Sequence, residues 1–223
     1  MKKSVKILSA VMAVVLIFAC GVGATLAYLQ KTTGPVTNTF AAKDLITDPS
    51  DFVLKEHKVE RKDNGVYDYV SPKEEVDGNQ YDRVVPGAEL PKDPFVRVKN
   101  VEDAYLYIEV VGTLPEGMSF TINDTLWTKM PDAKAEHNGV VYACKANKGG
   151  FNEYVLPALL AKNPTPYSFD LSATNIVTVS DTFEPGLAGQ NATLTFYAYL
   201  AQASNFTYQS AWDTMFDTAK KTV

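Results

Sequence analysis

From Pro94 onward the apolar residues of this chain recur at every second position, and that period limits what the chain can fold into more than any other feature. In "PFVRVKN" Val96 and Val98 alternate with Arg97 and Lys99, and in "AYLYIEVVG" Leu106, Ile108 and Val110 alternate with Tyr105, Tyr107 and Glu109. Successive side chains of an extended strand point to opposite faces, so this spacing marks half-buried β-strands. Asn100 to Asp103 then form the connection, with Leu106, Ile108 and Val110 inside and the tyrosines and Glu109 outside. Further strands are expected over Ser119 to Ile122, Gly139 to Lys145, Thr174 to Val179 and Ala192 to Ala201. In the last of these, Leu194, Phe196, Ala198 and Leu200 face inward and Thr195, Tyr197 and Tyr199 outward. Short strands separated by Gly, Pro and Asn turns predict a mainly β chain built as an antiparallel sandwich. Helix is scarce. "EYVLPALLAKN" offers a short turn broken at Pro157, and "QSAWDTMFDTAKK" a short C-terminal helix with Trp212 and Phe216 on one face. No repeat of solenoid length is visible.

The stretch before Pro94 reads differently. Lys43 to Pro94 mixes Asp, Lys, Pro and Gly with few apolar clusters, which predicts mostly loop, and residues 46–93 are expected to form an insertion on the core. Within it, "KVERKDNGVYDYV" has alternating flanks around Asp63-Asn64-Gly65, a favoured tight turn, so a β-ribbon is expected over Val59 to Val70.

At the N-terminus Lys2, Lys3 and Lys6 precede a run without charge from Ile7 through Gln30, the layout of an export signal. Small residues return at Gly21, Gly23, Ala24, Thr25 and Ala27, and Thr25-Leu26-Ala27 offers the small side chains a signal peptidase accepts. Cleavage is expected between Ala27 and Tyr28, giving a signal peptide over 1–27 and one domain over 28–223. Two alternatives stand beside it. The uncharged run is long enough to span a bilayer uncleaved, and Ile17-Phe18-Ala19-Cys20 loosely resembles a lipobox. Removing the signal leaves 18 of the 21 basic residues against 26 acidic ones, a formal charge of −8, which argues against a nucleic-acid partner. Contact with membrane is expected only through the uncleaved signal. Cys144 is the one cysteine of the mature chain, so packing has to hold the fold without an intramolecular disulfide.

Candidate chemistry is thin. His57 and His137 lie in no H-E-x-x-H or C-x-x-C context, so no zinc site follows from local spacing. Glu56-His57-Lys58-Val59-Glu60 reads as a solvated charged surface. Asp44, Asp48 and Asp51 read as turn and cap residues, because the alternating ligands and glycine of a calcium loop are missing. There is no G-x-S-x-G elbow, and Cys144 on an alternating strand reads as a small buried hydrophobe. The Tyr-bearing strands read first as strand propensity and cross-strand pairing, and second as an aromatic binding face. The N-x-T sequons at Asn123, Asn191 and Asn205 matter only on a eukaryotic secretory route. No catalytic residue, metal or cofactor is expected.

The segment "ATLAYLQKTTGPVTNTF" followed by "AAKDL" resembles the specialised signal and mature N-terminus of the TasA/camelysin family of Firmicutes. Ala27, Tyr28, Asn38, Phe40 and Leu45 match the family's A-Y-F-x-D and N-x-F-x-x-G-x-L. The acidic residue is replaced by Lys31 or Thr32, the Phe by Leu29 and the Gly by Lys43. "VVPGAELPKDPFVRVKNVEDAYLYIEV" is similar to the family's P-G-x-x-x-x-K-x-P-x-V-x-N with D-A-Y-V-R-V, and "NATLTFYAYLAQASNF" with "SAWDTMF" to its closing strand and Ala-Trp segment. The likeness leaves Asp44 to Val84 uncovered.

This resemblance implies a jelly-roll-like β-sandwich, cut by a SipW-type signal peptidase and secreted as a cell-surface or biofilm-matrix protein, with some members forming fibres. Assembly is then expected by strand addition. Residues 28–45, with Val36, Asn38 and Phe40 as the segment's contact residues, would pair with an exposed sheet edge of a neighbouring copy, since an edge offers unpaired N–H and C=O groups. The expected partners are other copies of the chain, the peptidase during export, and matrix or cell-wall components. Two other readings stay open: a monomeric surface binding module, and a metallopeptidase as the camelysin name suggests.

Overall fold

The structure, a computed structural model, describes residues 30–33, 38–39, 45–147, 150, 152–160, 164–183 and 192–216. The strands, in chain order, are β1 (Gln30–Thr33), β2 (Asn38–Thr39), β3 (Phe52–His57), β4 (Val59–Arg61), β5 (Tyr67–Tyr69), β6 (Glu75–Val76), β7 (Glu89–Pro91) and β8 (Phe95–Val98). They continue with β9 (Ala104–Val111), β10 (Met118–Ile122), β11 (Trp127–Lys129), β12 (Val140–Cys144), β13 (Val155–Leu156), β14 (Tyr167–Asp170), β15 (Ser172–Val179) and β16 (Thr195–Gln202), and helix α1 (Tyr208–Phe216) follows. The chain is mainly β, and the pairings among these strands are antiparallel.

The large sheet runs β11-β12-β9-β16-β1-β2, with β13 also on β9. Its spine is β9, paired with β16 from Ala104↔Gln202 to Val111↔Thr195. Smaller sheets, β14-β8-β3-β6 and β10-β15-β7, supply the opposing surface. Leu106, Ile108, Ala198 and Leu200 of the large sheet share one apolar cluster with Phe52, Val96, Val98, Phe169 and Leu171. Fully burying one of the Val, Leu, Ile or Phe side chains among these contributes about 1.5–3 kcal/mol. Trp127 closes one end of this core and donates its indole N–H to the Asp170 carbonyl at 2.9 Å, so that its single polar atom is satisfied in the interior.

The expected inward set of β9 and β16 lies in or against this core, but the outward set is not solvated. Tyr105, Tyr107, Glu109 and Tyr199 are as buried as Ile108, which corrects the one-sided reading of these strands. The cover is α1, whose Ala211, Trp212 and Met215 pack with Tyr105, Tyr107, Tyr199 and Met130. A tyrosine is compatible with burial if its one hydroxyl finds an acceptor. Tyr105 Oη donates to the Phe206 carbonyl at 2.8 Å and Tyr107 Oη to the Tyr208 carbonyl at 2.6 Å. The start of α1 is fixed by a reciprocal cap: the Ser210 N–H reaches Thr207 Oγ1 and the Thr207 N–H reaches Ser210 Oγ, satisfying donors that the first turn leaves open. As expected, Trp212 and Phe216 share a face, their ring centroids 4.4 Å apart.

A second correction concerns residues 46–93. The turn at Asn64-Gly65 is there, with Gly65 at φ +85° between β4 and β5. The stretch is not merely an insertion, however: β3 pairs with β8 from Phe52↔Val98 to Lys55↔Phe95, and Leu45, Ile46 and Phe52 belong to the main core. In β3 the inward sequence is Phe52, Leu54, Glu56, and the carboxylate at a core position hid the alternation. Val59 and Tyr67 of the ribbon join Leu90, Val177 and Val179 in a separate cluster. "EYVLPALLAKN" holds β13 on β9 in place of a helical turn, anchored by Asn100 Nδ2, which donates to the Leu156 and Pro157 carbonyls. Asp48 caps the short turn Pro49–Asp51, its Oδ1 accepting from the Ser50 N–H at 2.8 Å, while Asp44 lies outside the described residues. No described helix is long and apolar enough to cross a membrane.

Candidate functional site

One side of β16 is bonded to β9. Its other side carries β1, in the register Gln30↔Ala201, Lys31↔Leu200, Thr32↔Tyr199, Thr33↔Ala198. Beyond β1 lies β2, with Thr32↔Thr39 and Thr33↔Asn38, the last strand of this sheet among the described residues. Residues 30–33, shortly after the expected cleavage point, therefore lie on the edge of the long strand β16 of their own chain. Their backbone groups and those of β16 are exchanged in a ladder, which is what an edge requires to be closed. Of the residues singled out from the sequence, Asn38 sits in β2, one strand away from β16, while Ala27, Tyr28, Val36 and Phe40 lie outside the described residues. The contact with β16 is made by residues 30–33, which lie inside the 28–45 segment expected to pair with a sheet edge but not among the contact residues named for it; the β-branched Thr32-Thr33 pair was the available signal.

Two polar clusters lie away from this edge. In the first, Glu56 is 2% exposed, its Oε1 accepts the Asn79 N–H at 2.5 Å, and Lys92 Nζ stands 2.7 Å from Oε2. That approach is an ion pair without hydrogen-bond alignment, since Oε2 takes no directed bond. Asp93 beside it accepts the His57 N–H at 3.0 Å and stands 2.6 Å from His57 Nδ1. Asn79 bridges the bend between β3 and β4, accepting from the Val59 N–H and donating to the His57 carbonyl. The reading of Glu56 to Glu60 as a solvated surface is thus corrected at Glu56 and His57. Burial, with the Asp93 charge adding to it, pushes the Tyr69 hydroxyl well above the usual phenol range, and burial with Glu56 does the same to Tyr81. On the neighbouring surface the bidentate Arg97–Glu75 pair, at 2.7 and 2.9 Å, holds the Glu75 carboxyl below its usual value.

The second cluster surrounds Glu109, which is fully buried. It accepts from the His137 and Gly139 N–H groups and from Tyr199 Oη, each at 2.8 Å, and stands 3.2 Å from His137 Nδ1. Both histidines thus have Nδ1 against a carboxylate, which fixes their rings and ties segments far apart in sequence. Among the described residues no group of three His, Cys, Asp or Glu side chains is placed to hold a metal ion. Cys144 is buried in the main core. Compared with known proteins, the chain matches no family model, no curated protein and no solved structure.

Proposed function

We propose that this protein is a secreted structural component of a cell surface or biofilm matrix, a jelly-roll-like β-sandwich that assembles by donating its N-terminal strand to the β16 edge of the next copy. The observation that carries the reading is the pairing of residues 30–33 along β16. A terminal segment that satisfies this edge within one chain satisfies the same edge of a neighbour through identical contacts, so exchange costs association entropy and no bonds. Each copy then accepts one strand and donates another, a head-to-tail relation that propagates into a fibre. Signal cleavage before Tyr28, by a SipW-type or similar peptidase, frees the terminus for donation. The protein works by assembly and not by catalysis, and other copies are its main partner, with matrix or cell-wall components as further contacts.

The same pairing within one chain also favours the second reading, a monomeric surface-binding module that closes its own edge. One experiment separates the two. The mature chain from Tyr28 and a version lacking Tyr28 to Ala42 are compared by circular dichroism and by sedimentation over a range of concentrations. Donation requires that the mature chain polymerises and that the shortened one stays folded and monomeric, binding an added peptide of residues 28–45 one to one. A shortened chain that polymerises as well as the mature one rules donation out. A mature chain that stays monomeric at every concentration leaves the binding module.

A further inference from the structure

The strongest group left unused by assembly is Glu109, a carboxylate near the C-terminal end of the spine strand with no exposure. It does not face the main core. It lies on the opposite side, under the 131–139 loop, with Tyr197 and Val141 as its cross-strand neighbours. The loop is shaped to reach it. Asn138 takes the left-handed conformation, at φ +60°, which asparagine tolerates better than most residues. A Cβ on Gly139 would stand 2.5 Å from the Val110 carbonyl oxygen and 2.8 Å from Glu109 Cγ, so only glycine permits this approach. The result brings two loop N–H groups onto one carboxylate oxygen, Oε1, while Tyr199 Oη and His137 Nδ1 address Oε2. The His137 ring lies flat on Tyr197, 3.8 Å between centroids, and the same loop offers its Lys134 carbonyl to the Trp212 indole N–H at 3.1 Å.

We propose that Glu109 is an acid-labile latch: as a carboxylate it clamps the 131–139 loop over the aromatic outer face of the large sheet, and on protonation it lets that loop lift. Hydrogen bonds to an ionised acceptor are roughly twice as strong as those to a neutral one, so protonation weakens the loop's anchors together. Protons have a route in, because the His137 side chain that touches Glu109 is 35% exposed. The titratable groups around the carboxylate are His137 and Glu136 from the loop and Tyr199 and Tyr197 from β16, with Asp213 of α1 acting on Tyr107 nearby. Burial pushes the Glu109 carboxyl upward, but the bonds from Gly139, Tyr199 and His137 outweigh it and hold it below the usual carboxylate value. The sign follows. The clamp is at full strength above the unfolded carboxylate range and is lost as pH falls through the depressed folded value. α1 stays attached when the loop opens, because Tyr105 and Tyr107 bind its start independently of Glu109. What opens is the loop-facing side of Tyr197 and of the Tyr199 hydroxyl, where His137 sits, while the Tyr199 ring stays under Trp212 and Phe216.

The test is hydrogen–deuterium exchange of the chain from Tyr28, corrected for intrinsic rates, from neutral pH down through the carboxylate range. In the unaltered protein, exchange at the His137 and Gly139 amides should accelerate about tenfold on acidification while β9 and β16 stay protected. Glu109→Gln should show the faster exchange already at neutral pH and lose the pH response. Tyr199→Phe keeps the packing and removes one bond to the anion, so its opening should move to higher pH by about one unit. His137→Gln should keep a pH response, since the Glu109 carboxylate still accepts the loop N–H groups. Protection that stays constant until the whole sheet unfolds overturns the proposal, as does a pH response that survives Glu109→Gln. If Glu109→Gln fails to fold, Tyr199→Phe decides alone: an unshifted or downward-shifted opening overturns the latch.

Discussion

Replacing Tyr107 with serine tests whether the outer face of the large sheet is a second interior. The ring is fully buried, its centroid is 5.2 Å from that of Trp212, and its hydroxyl donates to the Tyr208 carbonyl at 2.6 Å. Truncating a buried aromatic costs about 3–5 kcal/mol through lost transfer energy and the cavity left behind. The carbonyl left without its donor adds about 1 kcal/mol or more. We therefore expect Tyr107→Ser to destabilise by about 4–6 kcal/mol, roughly a quarter or more of the stability of an ordinary domain. Tyr107→Phe keeps the ring and loses one hydrogen bond, for about 1–2 kcal/mol. Urea unfolding of the chain from Tyr28, followed by tryptophan fluorescence with the slope checked for each variant, gives both numbers. If Tyr107→Ser lies within about 0.5 kcal/mol of the unaltered protein, α1 does not cover this face in solution and the two-sided burial of β9 is refuted. Equal losses for Phe and Ser would mean that the hydroxyl, not the packing, holds the helix.

Lys92→Met strands the Glu56 carboxylate in the interior and should cost about 3–5 kcal/mol, whereas Lys92→Met with Glu56→Leu should recover most of that loss, as chemical denaturation of the three variants would show. Gly112 ends β9 at φ +107°, and a Cβ there would stand 2.0 Å from the Thr193 carbonyl oxygen. Gly112→Ala should therefore lower the thermal midpoint by several degrees, on the order of 2 kcal/mol or more; an unchanged midpoint would mean that the connection into β16 is pliable.

Much of the architecture is legible from residue spacing because a strand makes every second residue equivalent. Val96, Val98, Leu106, Ile108, Phe196, Ala198 and Leu200 are where alternation puts them, against a shared core. The turn at Asn64-Gly65 and the capped helix carrying Trp212 follow from equally local chemistry. Alternation states only that two faces differ, not that one of them meets water. Tyr105, Tyr107 and Tyr199 read as outward for this reason, and it took α1, about a hundred residues further along for the first two, to bury them. Glu56 and Glu109 were hidden by the same logic. A charged residue is assigned to the surface unless its partners are known, and here those partners are Lys92 and Asn79 in one case and a loop and Tyr199 in the other.

By itself the sequence determined the antiparallel β character, the ribbon, the closing helix and one face of the core, because each depends on periodicity or on the preferences of a few adjacent residues. Tertiary structure alone decided that β3 belongs to the body of the fold, that β9 is buried on both sides, and that residues 30–33 lie against β16. These depend on which backbone edges and which faces meet, and such contacts join residues too distant in the chain for any local pattern to record.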